Sequence, residues 1–136
     1  MRELDKKQDL IHIVHCAATP NGKHFDSKDI KRWHIERGWD DIGYHFVILI
    51  DGTIQIGRDL KYAGAHCKGY NYKSIGTCLV GTDKFSKEQM RSLVFLDSYL
   101  KNVYNVKSTH GHNEFSDKLC PGFDVKKIME ILSWKN

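Results

Sequence analysis

YHFVILIDGTIQIG, residues 44–57, is the stretch from which the fold is read. Two apolar runs, 44–50 and 53–57, flank Asp51-Gly52. Each run reads as a strand, and an Asp-Gly pair between them suits the type I′ turn of a two-residue hairpin. If Tyr44 starts the first strand, alternation puts it on one face with Phe46 and Ile48 and puts His45 on the other.

Upstream, LIHIVH (10–15) has the same period. Ile11, Ile13 and His15 share one face of a strand, His12 and Val14 the other. Between these segments Asp26 or Ser27 caps a helix that runs to about Arg37 and stops at Gly38. Ile30, Trp33 and His34 form its inner stripe. Downstream, a polar, glycine-containing loop leads to SIGTCLVG (74–81), the next strand. Ser86 and Gln89 fit a capping box at the head of the longest helix, with Met90, Leu93, Val94, Leu96 and Leu100 at helical spacing and an end near Tyr104. VKST (106–109) predicts a short strand. Asp124 caps a last helix whose Val125, Ile128, Met129 and Leu132 face inward. No repeat, low-complexity segment or linker interrupts the chain. The order predicts a single α/β domain over 1–136, core about 10–134, with a central mixed sheet flanked by about three helices.

A chain of 136 residues suits one core, and 40% hydrophobic with 28% charged residues is the balance of a soluble globular protein. No apolar run is long enough to cross a bilayer, so no membrane insertion is expected. MRELDKKQDL carries no secretory pattern, which predicts a protein held in a reducing cytoplasm until it is released. Cys16, Cys67, Cys78 and Cys120 form no CxxC pair. A disulfide framework is not expected, and a metal or catalytic role for one of them stays open. The net charge of +4 is mild. It favours anionic partners, yet no arginine-rich run supports nucleic acid.

The candidate chemistry lies in HGHNEFSDKLCPGFD (110–124) and at the end of the first strand. Imidazole and thiolate are zinc ligands, and a catalytic zinc takes three of them and leaves a fourth position open. His15, at a strand end, with His112 and Cys120, in a loop signalled by Pro121 and Gly122, would supply such a set. No HExxH or CxxC makes the spacing specific, and His110 competes with His112. Lys118 reads either as a solvated loop lysine or as a cation that stabilises an oxyanion. Tyr44 reads either as a core-edge tyrosine or as a phenol beside a bound water. His45 is expected to be structural. His12 and His24 read as surface or packing residues and His34 as a core-edge residue, while His66 is undecided. Cys16, Cys67 and Cys78 read as small apolar residues. A cysteine hydrolase using Cys120 is a rival reading, weakened by the proline that follows it.

Five runs, IVHCAAT (13–19), WHIERGWDDIGYHFVI (33–48), DGTIQIGRD (51–59), GAHCKGYNYKSIGTCLVG (64–81) and GHNEFSDKLCPGFD (111–124), resemble in order the type 2 family of zinc-dependent N-acetylmuramoyl-L-alanine amidases. That family includes the T-odd bacteriophage lysozymes and shares its fold with the peptidoglycan-recognition proteins. The resemblance implies a Zn2+ held by His15, His112 and Cys120, choosing His112 over His110, with Tyr44 and Lys118 assisting catalysis. It implies cleavage of the amide between the lactyl group of N-acetylmuramic acid and the L-alanine of the stem peptide, as in a phage or prophage endolysin. His66 and Asn71, with the GYN segment, are expected to line the glycopeptide groove. A non-catalytic module of the same fold, binding peptidoglycan or regulating a polymerase, is the alternative. The phage members also bind RNA polymerase, partly through their N-terminal region. That role is not carried over, because this chain begins close to its first strand and is short between Gly81 and Ser86.

Overall fold

In the computed structural model, which describes residues 1–133, β1 (Leu10–Cys16) is an interior strand of a five-stranded sheet. It pairs in parallel with β4 (Ser74–Leu79) on one side and β5 (Val106–Gly111) on the other. β2 (Phe46–Ile48) continues the parallel set against β4, and β3 (Ile54–Ile56) closes the edge antiparallel to β2. The strand order is β3-β2-β4-β1-β5, the mixed sheet expected. The central strands are apolar on both faces, as strands covered by helices must be: Ile13, Val14, Ile75, Cys78 and Leu79 are all fully buried.

Parallel neighbours require crossover connections, and three helices provide cover for the sheet. α1 (Ser27–Glu36) lies against one face, where Ile30 packs with Ile42, Val47 and Cys78. α2 (Lys87–Val103) and α3 (Val125–Ser133) cover the other, where Leu93, Leu96, Leu100, Val125 and Met129 meet Val14, Ile48 and Ile75. Asp26 caps α1 and Ser86 caps α2, each in a reciprocal capping box. Asp124 accepts the amide of Lys127 at the start of α3. Gln89 does more than close its cap. Its side-chain amide donates to the carbonyls of Ile48 (3.2 Å) and Val80 (2.9 Å), which ties α2 to the ends of β2 and β4. Leu4, well before the expected start of the core, is buried in the same cluster. The expected end of the core at 134 lies one residue outside the described residues.

Two local expectations are corrected. The hairpin turn is not type I′, which needs positive φ at both central residues. Only Gly52 has it (+90°); the Gly52 amide bonds back to the Leu49 carbonyl and the Leu49 amide to Thr53. Ile50, Asp51 and Gly52 therefore form a three-residue loop with glycine in the left-handed position. Tyr44 does not share a face with Phe46 and Ile48. The regular ladder begins at Phe46, and before it the successive amides of Gly57 and Arg58 donate to the successive carbonyls of His45 and Tyr44. Consecutive amides of a pleated strand point opposite ways, so this pairing breaks the alternation. Tyr44 joins the α1-side cluster while Phe46 and Ile48 face α2.

One polar network crosses the α2 side of the sheet. His12 is fully buried, with Nδ1 2.8 Å from Asp97 Oδ1 and Nε2 2.7 Å from Thr77 Oγ1. Thr109 donates to the same Asp97 oxygen, and Lys101 reaches the other at 2.9 Å. Of the two roles open to His12, it takes packing, and it is hydrogen-bonded at both nitrogens as a buried imidazole should be. His24 is exposed.

Candidate metal centre

Ligand sites in open α/β sheets form beyond the carboxyl ends of the strands. Here β1 ends with His15 and Cys16, and β5 runs directly into a 3₁₀ turn, His112–Glu114. His15 projects to the α1 side, is 1% exposed, and lies in register with Cys78 of β4. The loop after the 3₁₀ turn returns Cys120 to the same place. The backbone N–H of Cys16 donates to Cys120 Sγ at 3.0 Å. One ligand atom each from His15, His112 and Cys120 lies within 4.8 Å of the others. Tetrahedral coordination at zinc bond lengths needs separations of about 3.3–3.6 Å, so side-chain adjustments of about 1 Å close the set. Two imidazoles and a cysteine sulfur, which binds as the thiolate, are donors compatible with a zinc ion.

His110 stands apart from this cluster. Its Nδ1 pairs with Glu114 at 2.9 Å and its Nε2 meets Ser108 Oγ at 2.7 Å. The Tyr44 ring centroid is 5.1 Å from that of His15, and that of His112 is 4.6 Å from it. Lys118 lines the same cleft, of about 700 Å³, together with Arg37, Lys68 and Trp39. Among the described residues no carboxylate lines it.

The electrostatics suit neutral donors beside cations. Burial, then the neighbouring His66 and His112, pushes the His15 pKa well below 6.5. Burial and Lys118 lower that of His112. Both rings are thus unprotonated near neutrality, as metal ligation demands. The Cys16 and Cys120 thiols share a hydrogen bond, so ionising one opposes ionising the other; Cys16 is lowered to about 7 and Cys120 is raised, each first through that bond. Burial, then the surrounding thiols of Cys78, Cys120 and Cys16, raises the Tyr44 phenol well above 10 and keeps it a hydrogen-bond donor.

The remaining histidines build the walls. His45 Nε2–H donates to the Tyr62 carbonyl (2.8 Å) and its Nδ1 accepts the Gly76 amide (3.1 Å), the structural role expected of it. His34 Nδ1 accepts the Gly43 amide at 2.9 Å. His66 and Asn71 border the cleft. His66 stands behind His15, with its Nδ1 2.8 Å from His15 Nε2. Asn71 Oδ1 accepts the amides of His66 and Cys67. Two contributors escaped the sequence reading. Cys16 braces Cys120 from across the chain, and no local signal marks it. Arg58 is 6% exposed and donates to the carbonyls of Ile42 and Ala63, both at 2.8 Å, which fixes the segment leading to Tyr44. The position of an arginine after a hairpin and before a loop was its only sign.

Residues 6–123 match the family model described as N-acetylmuramoyl-L-alanine amidase. The chain is 44% identical over 126 residues to the endolysin of Escherichia phage T7, covering 87% of this chain and 83% of that protein. It is 34% identical to peptidoglycan-recognition protein LB of Drosophila melanogaster, covering 88% of this chain and 53% of that one. Among solved structures, the endolysin N-acetylmuramoyl-L-alanine amidase LysCS of Clostridium intestinale superposes with a TM-score of 0.84 at 30% identity, covering 98% of this chain and 89% of that one.

Proposed function

The chain belongs to the N-acetylmuramoyl-L-alanine amidase family, and from that premise we propose how its cleft carries out the family's reaction. It is a peptidoglycan hydrolase of the endolysin type, cleaving the amide between the lactyl group of N-acetylmuramic acid and the stem-peptide L-alanine. The gathering of His15, His112 and Cys120 donor atoms within 4.8 Å carries this reading. It speaks against the alternative of a module that binds without turnover, since such a module needs no complete ligand set.

His15, His112 and Cys120 would hold a zinc ion. When bound, the ion supplies Lewis acidity, lowering the pKa of water toward 7 and polarising the scissile carbonyl. Lys118, close enough to depress the His112 pKa, stabilises the oxyanion as the carbonyl is attacked, an effect worth about 3 kcal/mol for one such donor. Tyr44, protonated throughout because its phenol pKa is raised, donates a hydrogen bond that orients the attacking water or the tetrahedral oxygen. Arg37 and Lys68 give the cleft a cationic wall that suits the carboxylates of a stem peptide. His66 spends both ring nitrogens on protein partners, so it contributes to the glycopeptide groove through the shape of the wall, with Asn71 bracing the same loop.

Among the described residues no helix is long and apolar enough to cross a membrane. We take the protein to act on the cell wall after release from the cytoplasm, like the endolysins it resembles. Digestion of purified cell walls tests the assignment. New L-alanine amino termini and free lactyl carboxyls are expected by mass spectrometry; cleavage only between sugars or between amino acids would refute it.

A further inference from the structure

We propose that His66 and Ser74 form a directed hydrogen-bond relay that fixes His15 in its Nε2–H tautomer and leaves Nδ1 bare as the nitrogen it offers a metal ion alongside His112 and Cys120. This rests on His15 being a metal ligand, as proposed above. The direction starts from a group that can only accept, the carbonyl of Tyr70. Ser74 Oγ lies 2.8 Å from it and donates. The Ser74 oxygen is then free to accept from His66 Nε2–H, 3.2 Å away. A neutral imidazole has a single N–H, and that of the buried His66 is committed to Ser74. Its Nδ1 is therefore an acceptor, and its partner at 2.8 Å, His15 Nε2, must donate. With its single N–H placed at Nε2, the His15 ring keeps the Nδ1 lone pair for a ligand. Running the relay backwards would turn the Ser74 hydroxyl away from Tyr70 and put the proton on His15 Nδ1.

The protein makes room for this arrangement. A Cβ on Gly76 of β4 would lie 2.6–2.7 Å from Cγ, Cδ2 and Nδ1 of His66, and one on Gly64 would lie 2.5 Å from Cδ2. Two glycines thus open the slot in which the His66 ring stands, while Asn71 Oδ1 holds the His66 backbone at 2.9 Å. Partners of ligating imidazoles set the tautomer and commonly change metal affinity 10–100-fold when removed. His66 and Ser74 are positioning residues in this sense.

Long-range 1H–15N spectra of metal-free protein read the tautomer directly. His15 is expected as Nε2–H. Ser74→Ala, which removes one atom, should shift His15 toward a tautomer mixture. Zinc affinity, measured by chelator competition, should fall about 10–100-fold in His66→Phe and recover in His66→Asn, whose amide oxygen takes the place of Nδ1. An Nδ1–H form of His15 in the wild type overturns the relay, as does unchanged zinc affinity in folded His66→Phe. Should His66→Phe fail to fold, Ser74→Ala decides: an unaltered His15 spectrum with unaltered affinity refutes the relay. A wild type that holds zinc no better than His112→Ala refutes the ligand assignment and the relay with it. Tight zinc binding in both the wild type and His66→Phe refutes the relay alone.

Discussion

Asp97→Asn perturbs the buried network on the far side of the sheet from the cleft, and its effect can be worked from the structure. Burial alone would raise the Asp97 pKa. Its bonds to His12, Thr109 and Lys101 more than offset this and hold it at about 2, against an ordinary 3.8. At 1.36 kcal/mol per pKa unit, that depression corresponds to about 2.5 kcal/mol of stability. A depressed carboxyl stabilises the fold above its unfolded pKa and stops doing so as pH falls through its folded one. The contribution is therefore complete above about pH 5 and lost progressively toward pH 2. The amide oxygen of the substituted side chain would still accept from His12 and Thr109, but the charge that Lys101 pairs with would be gone. At neutral pH the variant should be less stable by about 2 kcal/mol, a fall in Tm of roughly 8 °C for a chain of this size. Urea unfolding at stepped pH is the assay. The wild-type stability should drop between about pH 5 and pH 2, and the variant's curve should be flatter over the same interval. Hydrolysis below the variant's Tm should be intact, since the network faces α2 and not the cleft. If the two acid limbs superpose, Asp97 is not the carboxylate that sets acid stability, and the account of His12 as its buried partner fails.

Lys118→Ala should retain bound metal yet lose about 10²–10³ in kcat; metal lost along with activity would show that Lys118 supports the site and not the reaction. Tyr44→Phe should fold with wild-type Tm and hydrolyse cell walls slowly, and an unchanged rate would return Tyr44 to a packing role. Gln89→Ala leaves the carbonyls of Ile48 and Val80 without their donor and should cost about 1–3 kcal/mol in denaturant unfolding; a change confined to the cap itself would stay near 1 kcal/mol.

What the sequence revealed follows the range of the interactions concerned. The caps at Asp26 and Ser86 and the apolar spacing of α2 are settled within one or two turns, so they were legible. The hairpin was legible as two runs around Asp-Gly. Its loop length was not, because that depends on where the ladder ends, and the same misjudged strand start put Tyr44 on the wrong face. Gln89 was read as half of a capping box, while its bonds to two strand ends reach across the fold. His12 could be placed on the α2 face by alternation, but its partner Asp97 lies 85 residues away. The candidate site followed the same rule. Alternation gave the face of His15, but no spacing selects His112 over His110. Resemblance made that choice; in the structure the His110 ring is hydrogen-bonded to Ser108 and Glu114. The places of His66 behind His15 and of Cys16 beside Cys120 depend on strand register, which is a property of the assembled sheet.

Elemental analysis of the purified protein, paired with activity before and after chelation, tests the central claim most directly. One zinc per chain is expected, with bound metal and hydrolysis both lost in His15→Ala, His112→Ala and Cys120→Ser, and activity restored to the chelated wild type by added zinc. Full hydrolysis by metal-free wild type, or full zinc content in any of the three variants, would contradict it.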